Sequence, residues 1–131
     1  MPSDLGQILS DAKNIAVVGL SPDESKPSNE VAKFLIKRGF NVFPVYPKFD
    51  EILGRKVYRN LMEIDQDIDV AVMFRKGEFA SELVKDTVKK CVKTLWLQLG
   101  ITNDAAGAIA RENGINFVQD RCIKIELKRL D

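Results

Sequence analysis

Short apolar runs alternate with amphipathic stretches along almost the whole chain. The runs are rich in branched side chains, as in NIAVVGL at residues 14–20 and DVAVMF at residues 69–74. Such runs are typical of strands that are buried on both faces of a sheet. The pattern predicts five strands, at residues 14–20, 40–46, 69–74, 94–99 and 115–118. Amphipathic spacing predicts helices at residues 4–12, 28–38, 78–91 and 102–113.

Capping residues mark the ends of the predicted helices. Hydroxyl side chains stand at the starts of three of them, at Ser3, Ser28 and Thr102. Glycines follow two of them, at Gly39 and Gly114. We therefore expect the hydroxyls to accept hydrogen bonds from free backbone N–H groups and the glycines to end the helices.

Two segments and one residue depart from this regular pattern. Residues 50–58, around Gly54, predict a loop, and residues 120–131 fit either a closing helix or a closing strand. Pro44 lies near the end of the second strand. Because proline cannot donate a hydrogen bond to a ladder, strand pairing is predicted to fail there.

Strands that alternate with helices predict βαβ units, and therefore an α/β domain with a mostly parallel five-stranded sheet. Right-handed crossovers place the carboxyl ends of the strands at one edge of that sheet. Ligands of such sheets bind at this edge, at the point where the strand order reverses. The residues that directly follow each strand are therefore the candidates for a binding site.

Composition and charge narrow the class of protein. The 131 residues fit a single domain, 1–131, and 45% of them are hydrophobic, which is enough for a core. The net charge of +1 argues against a nucleic-acid binder that works by bulk charge. No apolar run reaches the roughly 20 residues of a membrane span, and the first residues lack the features of a signal peptide. The sequence therefore predicts a cytoplasmic protein without nucleic-acid or membrane partners.

The chain has no histidine and two cysteines, Cys91 and Cys122. The missing histidine excludes Ser-His-Asp and Cys-His catalysis and disfavours a zinc site. We therefore predict neither catalytic residues nor a metal site. Cys122 follows the fifth strand, so its thiol either lies close to a bound ligand or is buried and inert, which is commoner for a single cysteine.

The loop after the first strand resembles a dinucleotide-binding loop only at its start. A G-x-G-x-x-G motif would need glycine where Ser21 and Glu24 stand. A helix N-terminus follows, and its N–H groups suit a phosphate, to which Lys26 would add a full charge. In the alternative interpretation Ser28 only caps the helix and Lys26 is only solvated. The candidates in this loop are Gly19, Leu20, Ser21, Lys26, Pro27 and Ser28.

The residues after the second strand discriminate best among nucleotide ligands. Proteins that bind NAD place an acid here to hold the ribose hydroxyls. In this chain no acid appears before Asp50, and Lys48 stands close by instead. A cation suits a ribose that carries a phosphate, as in coenzyme A or NADP. The candidates are Val45, Tyr46, Pro47 and Lys48.

The third and fourth strands also end in distinctive residues. Phe74, Arg75 and Lys76 follow the third strand, where an arginine can hold a phosphate with two hydrogen bonds. Gln98 is polar within an otherwise apolar strand, so it needs a partner from the protein or from a ligand. Gly100 and Ile101 follow it as further candidates. Trp96 on the same strand is interpreted as core.

Taken together, these segments resemble the family of CoA-binding domains, the small relatives of the N-terminal domain of the succinyl-CoA synthetase α subunit. The similarity runs from about residue 15 to residue 122, and the order and spacing of the segments make it specific. The matching segments are VGLS at residues 18–21, PS at 27–28 with Val31, FPV at 43–45 followed by Pro47, EILG at 51–54 with Tyr58, FR at 74–75, WLQ at 96–98 before GI at 100–101, and DRC at 120–122.

The resemblance implies a Rossmann-like three-layer fold and coenzyme A as the ligand. By position it implies phosphate contacts around Gly19, Ser21, Lys26 and Ser28 and adenosine contacts around residues 45–48. It further implies that residues 74–76 and 98–101 close the site. Tyr46 departs from the asparagine that is frequent in the family, which removes one expected side-chain hydrogen bond. The synthetase also needs a second domain with a phosphorylated histidine, so its ligase chemistry is not expected here.

The sequence therefore predicts a protein that binds coenzyme A or acyl-coenzyme A without catalytic residues of its own. Such a protein could serve as a carrier, a sensor or a regulatory module whose protein partner is unknown. The alternative is an NADP-binding, oxidoreductase-like domain on the same fold. The residues after the second strand are compatible with that alternative, although no candidate for hydride transfer stands beside them.

Overall fold

The computed structural model of the protein describes residues 4–131 and contains a five-stranded sheet with helices on both faces. The strands of this sheet are β1 (Asn14–Val18), β2 (Asn41–Val45), β5 (Val70–Met73), β6 (Thr94–Leu97) and β7 (Asn116–Val118). The helices are α1 (Leu5–Asp11), α2 (Pro27–Lys37), α3 (Ala80–Lys90), α4 (Asp104–Glu112) and α5 (Ile123–Arg129). Two short 3-10 helices cover Leu61–Glu63 and Gly77–Phe79.

The order of the strands across the sheet is β2-β1-β5-β6-β7, and all neighbouring pairs are parallel. This confirms the predicted α/β fold of the Rossmann-like type. From β1 the chain crosses to β2 on one side, and it later returns to β5 on the other side. The strand order therefore reverses between β1 and β5, and the loops after these two strands run in opposite directions.

Alternating residues of the strands supply two separate cores. Ile15 and Val17 of β1 pack with Trp96 against α1, α2 and α5 on one face. Ala16 and Val18 pack on the other face, against α3 and α4. Because the sheet is covered on both sides, its central strands are apolar throughout, which explains why the apolar runs located them correctly.

The helix caps differ in part from the prediction. Asn103, and not Thr102, caps α4, and its Oδ1 accepts from the N–H of Ala106 at 2.9 Å. Helix α2 begins at Pro27, one residue before the predicted start, with Lys26 as a cap that makes no side-chain hydrogen bond. Proline suits the first helical position because it has no N–H to leave unpaired. The predicted cap Ser3 lies outside the described residues.

Three other segments were predicted incompletely or wrongly. The 50–58 loop contains a small antiparallel hairpin, β3 (Glu51–Ile52) with β4 (Arg55–Lys56). Residues 120–131, for which helix and strand were both open, contain α5. Pairing does not fail at Pro44, because β2 is an edge strand and continues in register with β1 to its last residue.

Asp69 joins three elements at the amino-terminal edge of the sheet. Its Oδ2 accepts from the backbone N–H groups of Lys13 and Asn14, both at 2.9 Å, and Lys93 Nζ lies 3.4 Å from its Oδ1. Burial acts to raise the pKa of this carboxyl, but the hydrogen bonds from Asn14 and Lys13 and the ammonium of Lys93 outweigh it. The pKa of Asp69 therefore lies below its ordinary value, and the ionised form stabilises the fold.

We predict that Asp69→Ala lowers the free energy of unfolding by about 2 kcal/mol at neutral pH, because two backbone donors lose a charged acceptor. A carboxyl with a lowered pKa stabilises the protein above its unfolded pKa, and this contribution is lost as the pH falls through the folded pKa. The difference from wild type should therefore shrink below about pH 4. Urea denaturation over a range of pH measures it, with the exposed Asp65→Ala as control. A difference that is constant with pH would contradict the assigned role of the charge.

Candidate functional site

A large open cleft of about 1350 Å³ lies at the carboxyl ends of β1, β2, β5 and β6. It spans the point where the strand order reverses, and the first turn of α2 opens into it. Thirteen of the sixteen predicted site residues line it. These are Gly19, Ser21, Lys26, Pro27, Ser28, Val45, Tyr46, Pro47, Phe74, Arg75, Lys76, Gln98 and Ile101. Leu20, Lys48 and Gly100 do not line it.

The loop between β1 and α2 is held by its own polar groups. The N–H of Gly19 donates to the carbonyl of Val45 at 2.8 Å, which extends the parallel ladder by one residue. The hydroxyl of Ser28 accepts from the N–H of Ser21 at 2.9 Å, and Asn29 Nδ2 donates to the carbonyl of Ser21 at 2.9 Å. Ser28 thus fixes the loop rather than capping the helix, and Asn29 shares this role, which the sequence did not reveal.

Three predicted residues lie apart from the cleft surface for different reasons. The side chain of Leu20 is fully buried in the core beneath α2. Gly100 belongs to the loop after β6, where its N–H donates to Asp120 Oδ1 at 2.7 Å. Lys48 is exposed on the loop after β2, outside the cleft.

Arg59 is a cleft residue that the sequence did not indicate. Its Nη1 donates to the carbonyls of Tyr46 at 3.1 Å and Phe49 at 2.8 Å, and its Nη2 lies 3.6 Å from Asp50 Oδ1. A bridge between Val45 and Tyr58 brings this segment to the end of β2. Arg59 is therefore the cation that lines the cleft at the second strand, where Lys48 was expected.

The loop after β5 places an arginine against an aromatic ring. The guanidinium carbon of Arg75 lies 3.8 Å from the ring centre of Phe79, a cation–π contact. Gly19 lies beside the aliphatic part of this arginine and has a φ of +86°. A Cβ at Gly19 would come within 2.8 Å of Arg75 Cγ, so the glycine allows the β1 and β5 loops to approach each other.

Two buried side chains connect the loops after β6 and β7. They belong to Trp96 of β6 and to Gln98, which directly follows β6. Gln98 is 5% exposed, and its Oε1 accepts from the N–H of Ile123 at 2.9 Å, at the start of α5. Trp96 is fully buried, as predicted, and its Nε1 donates to the carbonyl of Arg121 at 2.8 Å. These bonds fix the start of α5 beside the cleft, and the half-buried Cys122 lines it.

An ion pair connects the two helices on one wall of the cleft. Lys124 Nζ on α5 lies 3.0 Å from Glu30 Oε1 on α2. The hydrogen bond and charge of Lys124 lower the pKa of the Glu30 carboxyl. The other cations of the cleft are Lys26, Arg59, Arg75, Lys76 and Lys128, and its other acids, Glu78, Glu82 and Asp86, belong to the opposite wall, at and before α3.

The parallel sheet and the cleft at its point of strand reversal define a Rossmann-like α/β protein. The model of the CoA-binding domain family matches residues 13–128, so the chain belongs to that family. In the part that the structure describes, no helix is long and apolar enough to cross a membrane. Nor do residues 4–131 contain a cluster of three side chains from histidine, cysteine, aspartate and glutamate that could hold a metal ion.

Similar proteins include both separate small chains and parts of larger enzymes. The Bacillus subtilis (strain 168) protein YneT is 34% identical over 94% of this chain and 91% of its own. A protein structure from Pyrococcus horikoshii OT3 is 38% identical, with a TM-score of 0.92 over 95% of this chain and 88% of its own. The ADP-forming acetate–CoA ligase of Methanocaldococcus jannaschii is 32% identical over 62% of this chain, which spans only 12% of that enzyme.

We predict that Gly19→Ala destabilises the protein more than Gly114→Ala. Both glycines have positive φ, +86° and +73°, so each alanine carries a strain of about 1 kcal/mol. Only the alanine at Gly19 also collides with Arg75, since nothing lies within 4 Å of a Cβ at Gly114. Thermal unfolding of the two variants measures the difference. Equal melting temperatures would show that the Arg75 side chain moves aside without cost.

Proposed function

We propose that the protein binds coenzyme A in this cleft. The observation that supports this most directly is that Lys26, the first turn of α2 and Arg75, whose side chain lies against Gly19, all line the cleft. A helix N-terminus and flanking cations suit the linked phosphates of a nucleotide. Membership of the CoA-binding domain family supports coenzyme A as that nucleotide.

The order of the strands suggests how the ligand lies. The half-buried Tyr46 and the exposed Pro47 follow β2 and would form the surface on which the adenosine lies, and the ring of Tyr46 stacks on Phe49 with centroids 6.2 Å apart. We propose Arg59 as the cation for the 3′-phosphate, because it lines the cleft beside Tyr46. The diphosphate then lies over Gly19, and the pantetheine extends toward β6.

The size of the cleft fits a ligand of this length. Its volume of about 1350 Å³ exceeds the roughly 300–1,000 Å³ that is usual for sites of drug-sized molecules. A long, flexible ligand such as coenzyme A could fill this space. Its phosphorylated end needs a lining with cations, and its neutral pantetheine end needs an apolar lining. Both kinds of lining are present, since the cleft contains cations as well as apolar side chains.

We further propose that the protein holds coenzyme A without transforming it. The chain has no histidine, and the ligase relatives are far longer than the part to which it is similar. On this proposal the occupied cleft serves a carrier, sensor or regulatory function. Residues of α2 and α5 both line the cleft, so a bound ligand would contact both helices. The ion pair between Glu30 and Lys124 joins these two helices beside the cleft.

We predict that coenzyme A binds at least tenfold more tightly than dephospho-coenzyme A, because a charged hydrogen bond to the 3′-phosphate contributes about 1.5–3 kcal/mol. Isothermal titration calorimetry at low salt measures both affinities. Equal affinities would remove the proposed role of the 3′-phosphate. NADP provides a third ligand in the same series, and an affinity for NADP as high as for coenzyme A would overturn the proposal.

A matched pair of lysine variants tests the position of the phosphates. Lys26→Ala should weaken coenzyme A binding by about tenfold, or by a few-fold if salt screens the exposed contact. Lys48→Ala removes the same charge from a loop outside the cleft and should have little effect. Calorimetry at two salt concentrations compares them. A large loss in Lys48→Ala together with no loss in Lys26→Ala would place the phosphates at the end of β2 instead.

A further inference from the structure

Three of the large hydrophobic side chains that remain exposed in residues 4–131 lie in the same cleft. Leu99 is 62% exposed, Ile125 is 45% exposed and Phe79 is 39% exposed. Scattered apolar side chains on a surface need no explanation, but a contiguous group beside a binding site indicates an apolar ligand or partner. The half-buried Leu83 and Ile101 also line the cleft.

These side chains surround the ends of β5 and β6. Phe79 ends the 3-10 helix after β5, and Leu99 is the second residue after β6. Ile125 is brought there by the bond from the Ile123 N–H to Gln98, which fixes the start of α5 at the end of β6. The apolar group is therefore built from three elements, and a buried hydrogen bond holds one of them in place.

The position of this group corresponds to the thiol end of the proposed ligand. Three strand spacings, roughly 14 Å, separate the end of β2 with Tyr46 from the end of β6 with Leu99. If the adenosine lies at the end of β2 and the diphosphate lies over Gly19, the pantetheine extends to the end of β6. A free thiol would leave most of the apolar surface in water, whereas an acyl chain on the sulfur would cover it.

The wall of the cleft that carries Phe79 and Leu83 is also acidic. Glu78, Glu82 and Asp86 are spaced four residues apart, and all three line the cleft with Leu83. Glu82 forms an ion pair with Lys85 at 3.4 Å, and the carboxylates of Glu78 and Asp86 would repel an acyl group that ends in its own carboxylate. They place no such penalty on a neutral chain.

We propose that the natural ligand is an acyl-coenzyme A with a neutral aliphatic acyl group, which packs on Phe79, Leu99 and Ile125. The proposal rests on the proposed binding of coenzyme A and adds the class of acyl group. Complete burial of a methylene group strengthens binding about fourfold. In a half-open cleft we expect roughly threefold for every two methylene groups added.

Calorimetry with a series of ligands tests the proposal. Free coenzyme A, butyryl-, hexanoyl- and octanoyl-coenzyme A should bind with steadily increasing affinity. The derivative of octanoyl-coenzyme A that carries a terminal carboxylate should bind more weakly than octanoyl-coenzyme A itself. If free coenzyme A binds and the acyl chains add nothing, this inference is wrong while the proposed function stands. Equal affinity for the carboxylated and neutral chains would overturn the assigned neutrality. If no member of the series binds, the proposed function itself fails.

Two isoleucine variants distinguish a contact of the acyl chain with the cleft from a general effect of removing an exposed apolar side chain. Ile125→Ser should weaken octanoyl-coenzyme A severalfold and change the affinity for free coenzyme A much less. Ile109→Ser is the matched control, because Ile109 is a helical isoleucine of similar exposure, 38%, that does not line the cleft. Both variants should fold, since each residue is already partly in water. Equal effects of the two variants on octanoyl-coenzyme A would show that the chain does not contact α5.

Discussion

The direction in which the chain leaves β1 determines where a binding site can form in this protein. The first crossover leads to β2 on one side of β1, and the later return places β5 on the other side. The loops that follow β1 and β5 touch at Gly19 and Arg75 and then run in opposite directions, and a crevice opens there at the carboxyl edge. Every cleft residue depends on this reversal, including Gly19 and Arg75, which would not meet in a sheet with strands in sequential order. The opposite edge, with Asp69, holds the strands together without taking part in the site.

Buried polar side chains near the carboxyl edge hold the backbone of the surrounding loops in place. Ser28, Asn29 and Gln98 are all almost completely buried, and each bonds to the backbone of a loop or helix start that borders the cleft. A buried polar group that lost its partner would be costly, so these bonds specify the loop conformation closely. The cations Lys26, Arg75 and Lys76, in contrast, remain exposed at the cleft surface. Buried amides and hydroxyls therefore fix the shape of the cleft, whereas the exposed charges are available to a ligand.

The fold could be predicted from the sequence because the central strands are buried on both faces, so that their residues are apolar without interruption. The helix starts were harder, since Thr102 and Asn103 are both good caps and only the geometry of α4 selects the asparagine. Arg59 could not be found from strand ends, because the β3–β4 hairpin returns it to β2 through pairing that no local pattern encodes. Lys48 is the cation that follows β2 most closely in the sequence, so the sequence predicts it for the site, but in the structure it lies outside the cleft.

The hydrogen bond from Trp96 to the carbonyl of Arg121 has a practical consequence. The chain contains a single tryptophan, and its indole is sealed in the core while its N–H reaches the backbone next to Cys122 at the cleft. Indole emission responds to the polarity around the ring and to the partner of its N–H group. A small displacement of residues 121–122 would therefore alter the fluorescence of a ring that no ligand touches. Emission from this single tryptophan, excited selectively above the tyrosine absorption, thus reports on the peptide segment between β7 and α5 without any label.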